Sequence, residues 1–469
     1  MATFLNTSKK HVGIIIFYTC FILFVLYIPF NTKGAYQFKE IPGFPNYDML
    51  ASAFLAKQVH LLDTVDPKRL QADDPRDPSH PSAYLFDRVI WNGKYYFIQE
   101  PLPGIFHAIW NAITGYPFRT GAMVTLSISG VVIVLAFLML HLRQLYFPST
   151  PSWIFWGTWI SFSLCSVQLH FASMPFVYNE AVGLGSFFSL LGILCAMHIF
   201  PVKRNEKTNC LAALAGTCFG AAVCCRASIV FYPLTFLLCL VMFHFFRERQ
   251  YKIILNVFLP FLICFGLFII ALLAYNFLRF QDILEFGRNY AIYPSHEDYL
   301  YAIWNENMFR LKHVPVQFYL YLLSPPDIID KFPYIIIPNE SRFKIGDVLI
   351  VSQRVRSIFI LVPILVVLIA TPFLQKYYRN KIFSFWMTYF ITASAAIFCF
   401  LTFFHYATIR YIYDFLPILF VILFGSYSTL WGKIMGDEHK EKIVKLLFIG
   451  LVSITVFNGL LAGYLKYRS

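Results

Sequence analysis

Apolar residues run through this chain in blocks of about twenty, the length that crosses a bilayer core of roughly 30 Å, with short polar or basic stretches between them. Segments such as IILNVFLPFLICFGLFIIALLAY have no polar face, so they do not suit the surface of a water-soluble core. The pattern predicts an all-α polytopic membrane protein with about eleven transmembrane helices, near 11–30, 120–141, 153–173, 178–200, 208–225, 227–246, 254–278, 355–375, 382–404, 411–431 and 443–465. The first run follows Lys9 and Lys10 but is too long for a cleaved leader, and it reads as a retained signal anchor. A single helix over 208–246 would be about 58 Å long, nearly twice the hydrocarbon thickness, so a hairpin turning near Arg226 is expected.

Charge then orients the chain. With the N-terminus in the cytoplasm, the short loops holding Lys203, Arg204 and Lys207, Arg247, Arg249 and Lys252, Lys376, Arg379 and Lys381, and Lys433 to Lys445 all fall on the cytoplasmic side, and the C-terminus falls outside. The net charge of +13 is accounted for largely by these loops and calls for no nucleic-acid partner. All ten cysteines lie in or beside apolar runs, which leaves no disulfide framework or zinc spacing.

One membrane domain, 1–469, is expected, with two long extracytoplasmic loops, 32–118 and 279–354, that hold most of the 25 acidic residues. The first loop has helical spacing in ASAFLAKQVHLL and in GIFHAIWNAITG, both too short to span and expected to lie along the interface. Between them lie the irregular QADDPRDPSHPS and the aromatic FDRVIWNGKYYFIQEPLPG. Tyr95, Tyr96 and Trp91 alone would be interfacial anchors, but Asp48, Asp87 and Glu100 accompany them. Carboxylates, cations and aromatic platforms on one face suit a saccharide joined to a lipid phosphate. Glu180, Arg226, Arg410 and Asp414 lie at the outer ends of apolar spans, where each would cost about 2.5 to 3.5 kcal/mol at mid-helix unless paired or near water. Arg410 and Asp414, four apart, are placed to pair on one helix face.

Several stretches resemble the bacterial multi-pass glycosyltransferases of GT-C architecture, akin to the aminoarabinose and protein O-mannosyl transferases. NYDMLASAFLAKQVHL is similar to their Y-x-x-L-A-x-A-F-L-x-x-Q juxtamembrane helix, and FDRVIWNGKYYFIQEPLPG to their D-x-S-x-Y-x-G-K-Y-Y-x-Y-x-x-P-x-P segment. YNEA, CCRAS, LEFGRNY, LLSPPDIIDKFPY and IRYIYDFLP follow in the order those enzymes show. The resemblance implies a transferase of a bacterial inner membrane that takes a sugar from a polyprenyl-phosphate donor and places it on an extracytoplasmic glycan, lipid or protein. In the aminoarabinose-type enzymes the catalytic Asp precedes the juxtamembrane aromatic by four residues, and that position is Gly43 here. Asp48 and Asp87 therefore stand as alternative bases, with Glu100, Glu180 and Glu285 behind them.

The chemistry needs a carboxylate within about 3 Å of an acceptor hydroxyl and a cation facing the departing phosphate. Arg226, Arg410, Arg288 and Lys94 are the cations on the correct side, and Tyr95 and Tyr96 the sugar platforms. No cofactor is required by these motifs; DDPRD leaves a divalent metal open. A lipid-linked sugar flippase or other transporter is the competing reading, weakened by the lack of an internal repeat or of a charge at mid-span.

Overall fold

The computed structural model describes residues 2–39, 47–76, 88–199, 206–243, 251–292, 309–328, 330, 335–336, 341–345, 348–378 and 380–468. Among them, eight helices are long and apolar enough to cross a membrane: His11–Thr32, Thr120–Tyr146, Val177–Ile199, Thr208–Cys225, Leu259–Phe280, Lys381–Thr402, Leu416–Ile434 and Glu438–Leu465. The other three expected spans are broken or shorter. Ser152–Leu164 and Ser166–Ala172 are separated at Cys165, whose backbone is extended. Ala227–Phe243 and Pro363–Tyr377 are apolar but shorter, and the latter opens as a 3₁₀ stretch, Pro363–Ala370. The turn expected near Arg226 is present: Glu206–Cys225 ends there, and the extended backbone of Arg226 (φ −161°, ψ 115°) redirects the chain.

Because lipid is as apolar as leucine, helices in a bilayer associate through close approach and internal hydrogen bonds. Peripheral helices accordingly show Phe17, Leu267 and Phe457 to the outside, while Thr120–Tyr146 and Leu416–Ile434 are covered on most sides. Two crossings depend on glycine. A Cβ at Gly216 would overlap the Phe261 carbonyl oxygen, and one at Gly459 would overlap that of Leu164. The buried Gln168 amide ties three elements together: Nε2 donates to the Tyr27 hydroxyl (3.1 Å), which donates to the Ser163 carbonyl (2.7 Å), and Oε1 accepts from the Tyr413 hydroxyl (2.7 Å).

At the loop-bearing end, a helix Tyr47–Leu55 crosses a helix Leu102–Thr114 closely enough that a Cβ at Gly104 would meet the Leu50 side chain at 2.7 Å. Beside them stands an antiparallel hairpin, Arg88–Trp91 with Lys94–Phe97, closed by Asn92 (φ 47°) and Gly93 (φ 71°). Positive φ at both central residues is the turn geometry that an Asn-Gly pair favours. A small sheet completes this end: Ser341–Ile345 pairs antiparallel with Val348–Gln353, which pairs in parallel with Tyr406–Thr408 in the register Gln353↔Thr408. These strands are additions to the expected all-helical plan.

Candidate active site at the loop end

Three short-range placements build the site. The helix Tyr47–Leu55 begins with Tyr47 and Asp48, the crossing helix Leu102–Thr114 carries His107 and Asn111 four residues apart on one face, and the helix Val177–Ile199 carries Tyr178 and Glu180 in its first turn. His107 is buried between two carboxylates, with Nδ1 2.9 Å from Asp48 Oδ1 and Nε2 2.8 Å from Glu180 Oε1. Burial opposes its charged form, yet Glu180 and Asp48 together outweigh burial and lift its pKa to about 9. His107 is therefore an imidazolium at neutral pH. Asn111 Nδ2 also donates to Asp48 Oδ1 (3.1 Å), its orientation fixed by Phe118 N donating to Oδ1 of the amide (2.9 Å). Both bonds to Asp48 fall on one oxygen, so Oδ2 accepts none among the described residues. The Asp48 side chain keeps 14% of its surface exposed, whereas those of His107 and Glu180 have none.

A second charged group joins the turn after the Glu206–Cys225 helix to the residue that follows the Ile409–Tyr413 helix. Arg226 donates from Nε to Asp414 Oδ1 (2.6 Å) and from Nη2 to Oδ2 (2.8 Å), and Ser228 Oγ donates to the same Oδ2 (3.0 Å). This bidentate pair corrects the local expectation: Asp414 binds Arg226, not Arg410 four residues before it. Arg410 instead lies over the Tyr178 ring (4.0 Å to the centroid), with Nε 3.4 Å from Thr408 Oγ1. Tyr178 is two residues from Glu180, so one helical turn supports both the cation and the His107 anchor.

The remaining expected residues are dispersed. Glu100 accepts from Ala227 N (3.0 Å), and burial raises its pKa, opposed by Arg226 and Arg279. Glu285 accepts from Gly287 N (2.6 Å) and from Asn289 Nδ2 (2.5 Å), shaping its own loop. Arg288, beside Glu285, is held down to about 10 by burial. Lys94 is exposed on the hairpin. Tyr95 and Tyr96 are both buried and, as neighbours on a strand, face opposite sides: Tyr95 lies under Arg88 (5.4 Å) and Tyr96 against Phe280 (5.5 Å). They therefore cannot form two platforms of one cavity. Trp91 packs on Tyr290 at 4.3 Å. Asp87 lies outside the described residues. In DDPRD, Asp74 is held by Arg76 (2.9 Å), and no group of three or more His, Cys, Asp or Glu among the described residues could hold a metal ion.

His107, Asn111 and Tyr178 were not anticipated as site residues. The first two were signalled by two hydrogen-bonding side chains at helical spacing inside the apolar GIFHAIWNAITG.

This helical fold is shared with a solved structure of low sequence identity. One structure with the fold is the apo oligosaccharyltransferase of Archaeoglobus fulgidus, 11% identical, with a TM-score of 0.58 over 98% of this chain; the chain spans about half of that protein, 56% of its length. ArnT from Cupriavidus metallidurans bound to undecaprenyl phosphate is also similar, 10% identical, with a TM-score of 0.48 over 98% of this chain and 76% of that one. No protein-family model matches the sequence, and no curated protein matches it.

Proposed function

We propose that the chain is an integral-membrane glycosyltransferase that moves a sugar from a polyprenyl-phosphate donor to an extracytoplasmic acceptor. The observation that carries this reading is Asp48: a partly exposed carboxylate with one oxygen anchored by His107 and Asn111 and the other without a hydrogen bond among the described residues, next to the turn that supports Arg410. An acceptor hydroxyl hydrogen-bonded to Oδ2 loses its proton to Asp48 as its oxygen bonds to the anomeric carbon. The bond from that carbon to the phosphate oxygen breaks, the electron pair leaves with the lipid phosphate, and the anomeric configuration inverts. A guanidinium facing the phosphate stabilises the charge gained on departure. The membrane is taken to be a bacterial inner membrane, with the site on its outer face and the Glu438–Arg468 helix ending on that face.

Asp48→Asn keeps the shape and removes the proton acceptor. Transfer from a defined donor should fall roughly 10²- to 10⁴-fold while donor binding and folding persist. Near-parental turnover in this variant would move the base elsewhere, with Asp87 the next to test.

A further inference from the structure

The helix Leu102–Thr114 has two unlike faces. The inner face is buried at Gly104, His107 and Ala108 and includes Asn111, so both donors to Asp48 Oδ1 stand on it. The outer face shows Ile105 (40% exposed), Ile109 (52%), Trp110 (44%) and Ile113 (79%). Ile105, Ile109 and Ile113 are four apart and form one uncharged stripe along about 12 Å of helix. Its depth is set by the chain: Phe118 N donates to Asn111 Oδ1 (2.9 Å), and the span Thr120–Tyr146 begins two residues later. The helix therefore lies at the level where that span meets the edge of the bilayer. Trp110 and Tyr116 (75% exposed) suit this level, where aromatic rings collect. Phe118 also joins the two faces: its ring stacks on Trp110 at 4.8 Å and lies 5.3 Å from the ring of His107.

We infer that the outer face of this helix is seated in lipid at the loop end of the bundle, and that the lipid seat holds His107 and Asn111 in register with Asp48. The partner is a lipid surface, because three isoleucines in line offer hydrocarbon contact and, the Trp110 indole N–H aside, no hydrogen bond to specify a protein. A helix of this kind sinks its apolar face about 5 to 10 Å into the boundary between headgroups and acyl chains. Alone, a helix of 13 residues is marginal in water, so its position depends on what it packs against. Inside, that is the helix Tyr47–Leu55; outside, it is lipid. Loosening the outer contact moves His107 and Asn111 together, because they share the helix, and frees the Asp48 carboxylate to turn. Lipid packing at the loop end thereby regulates the site. The inference deepens the transferase reading and rests on it for the role of Asp48, but its test does not need turnover.

The full chain is reconstituted in phosphatidylcholine vesicles whose acyl chains carry bromine either near the headgroup or near the methyl end. Parent emission less that of Trp110→Phe isolates Trp110, which should be quenched by about half with bromine near the headgroup and less with bromine at the methyl end. Ile113→Ser removes one link of the stripe and, at a position this exposed, no internal contact. It should weaken the Trp110 quenching and raise amide hydrogen exchange in Tyr47–Leu55 roughly threefold or more, although that helix is not substituted. Ile113→Leu should match the parent in both. Trp110 unquenched by either lipid would overturn the seat and assign the stripe to another partner. Quenching lost in Ile113→Ser with exchange in Tyr47–Leu55 unchanged would overturn the hold on Asp48. Should Ile113→Ser fail to fold by melting temperature and size-exclusion profile, the Trp110 quenching of the parent decides. Both readouts as expected, with no sugar transfer from any donor, would leave the lipid seat standing and remove the transferase reading instead.

Discussion

Replacing Glu180 by Gln isolates the electrostatic centre of the site, because it removes one buried negative charge while keeping the volume and a hydrogen-bonding side chain. The displacement of His107 from 6.5 to about 9 corresponds to about 3 kcal/mol in favour of the imidazolium, contributed by Glu180 first and Asp48 second. Removing Glu180 leaves Asp48 as the acid in contact, and roughly 1 to 2 kcal/mol of that preference goes with it. A group raised in the folded state stabilises fully below its unfolded value, here 6.5, and loses its contribution as pH rises through about 9. The expected result is a variant less stable than the parent at pH 6 to 7, with the difference shrinking steadily by pH 10. Thermal melting in one detergent across that range measures it. A stability gap that does not change with pH would refute the argument, since it would assign the loss to packing rather than to the imidazolium.

Asp414→Asn should leave Arg226 buried without its counter-ion and lower stability by about 3 to 5 kcal/mol, seen as a lower melting temperature and reduced yield; an unchanged melting temperature would deny the pair a structural role. Gly459→Ala forces a methyl group onto the Leu164 carbonyl, a backbone atom that cannot swing aside, and should destabilise the chain by about 1 to 3 kcal/mol, whereas the same change at Gly266, which faces open space, should have little effect. Cysteine placed at Lys57 should react with an impermeant thiol reagent in sealed cells and cysteine at Lys440 only after the membrane is opened; the reverse pattern would invert the topology.

The long spans and the break at Arg226 were legible because hydrocarbon thickness and the cost of a mid-span arginine leave few alternatives. The hairpin was also written in the sequence, in the Asn92-Gly93 pair of WNGK, but it was obscured by the surrounding aromatic residues, which invite an interfacial reading. The partner of Asp414 was not legible. A four-residue spacing favours Arg410, and only the tertiary fold brings Arg226 from 188 residues away. Tyr95 and Tyr96 illustrate the opposite error: adjacency in sequence suggested a shared role, and strand geometry separates them onto opposite faces. Asp48 was one of two alternatives; its contact with His107, which also reaches Glu180 on a second helix, was not legible in the sequence, and Asp87 lies outside the described residues.

The central claim is that this site breaks a sugar–phosphate bond. Purified protein incubated with a panel of labelled polyprenyl-phosphate sugars and candidate acceptors measures it directly, through release of the free polyprenyl phosphate. The account predicts release with at least one donor, dependent on acceptor and abolished in Asp48→Asn. Saturable binding of the donors with no release, unchanged by that substitution, would contradict it and describe a carrier of lipid-linked sugars.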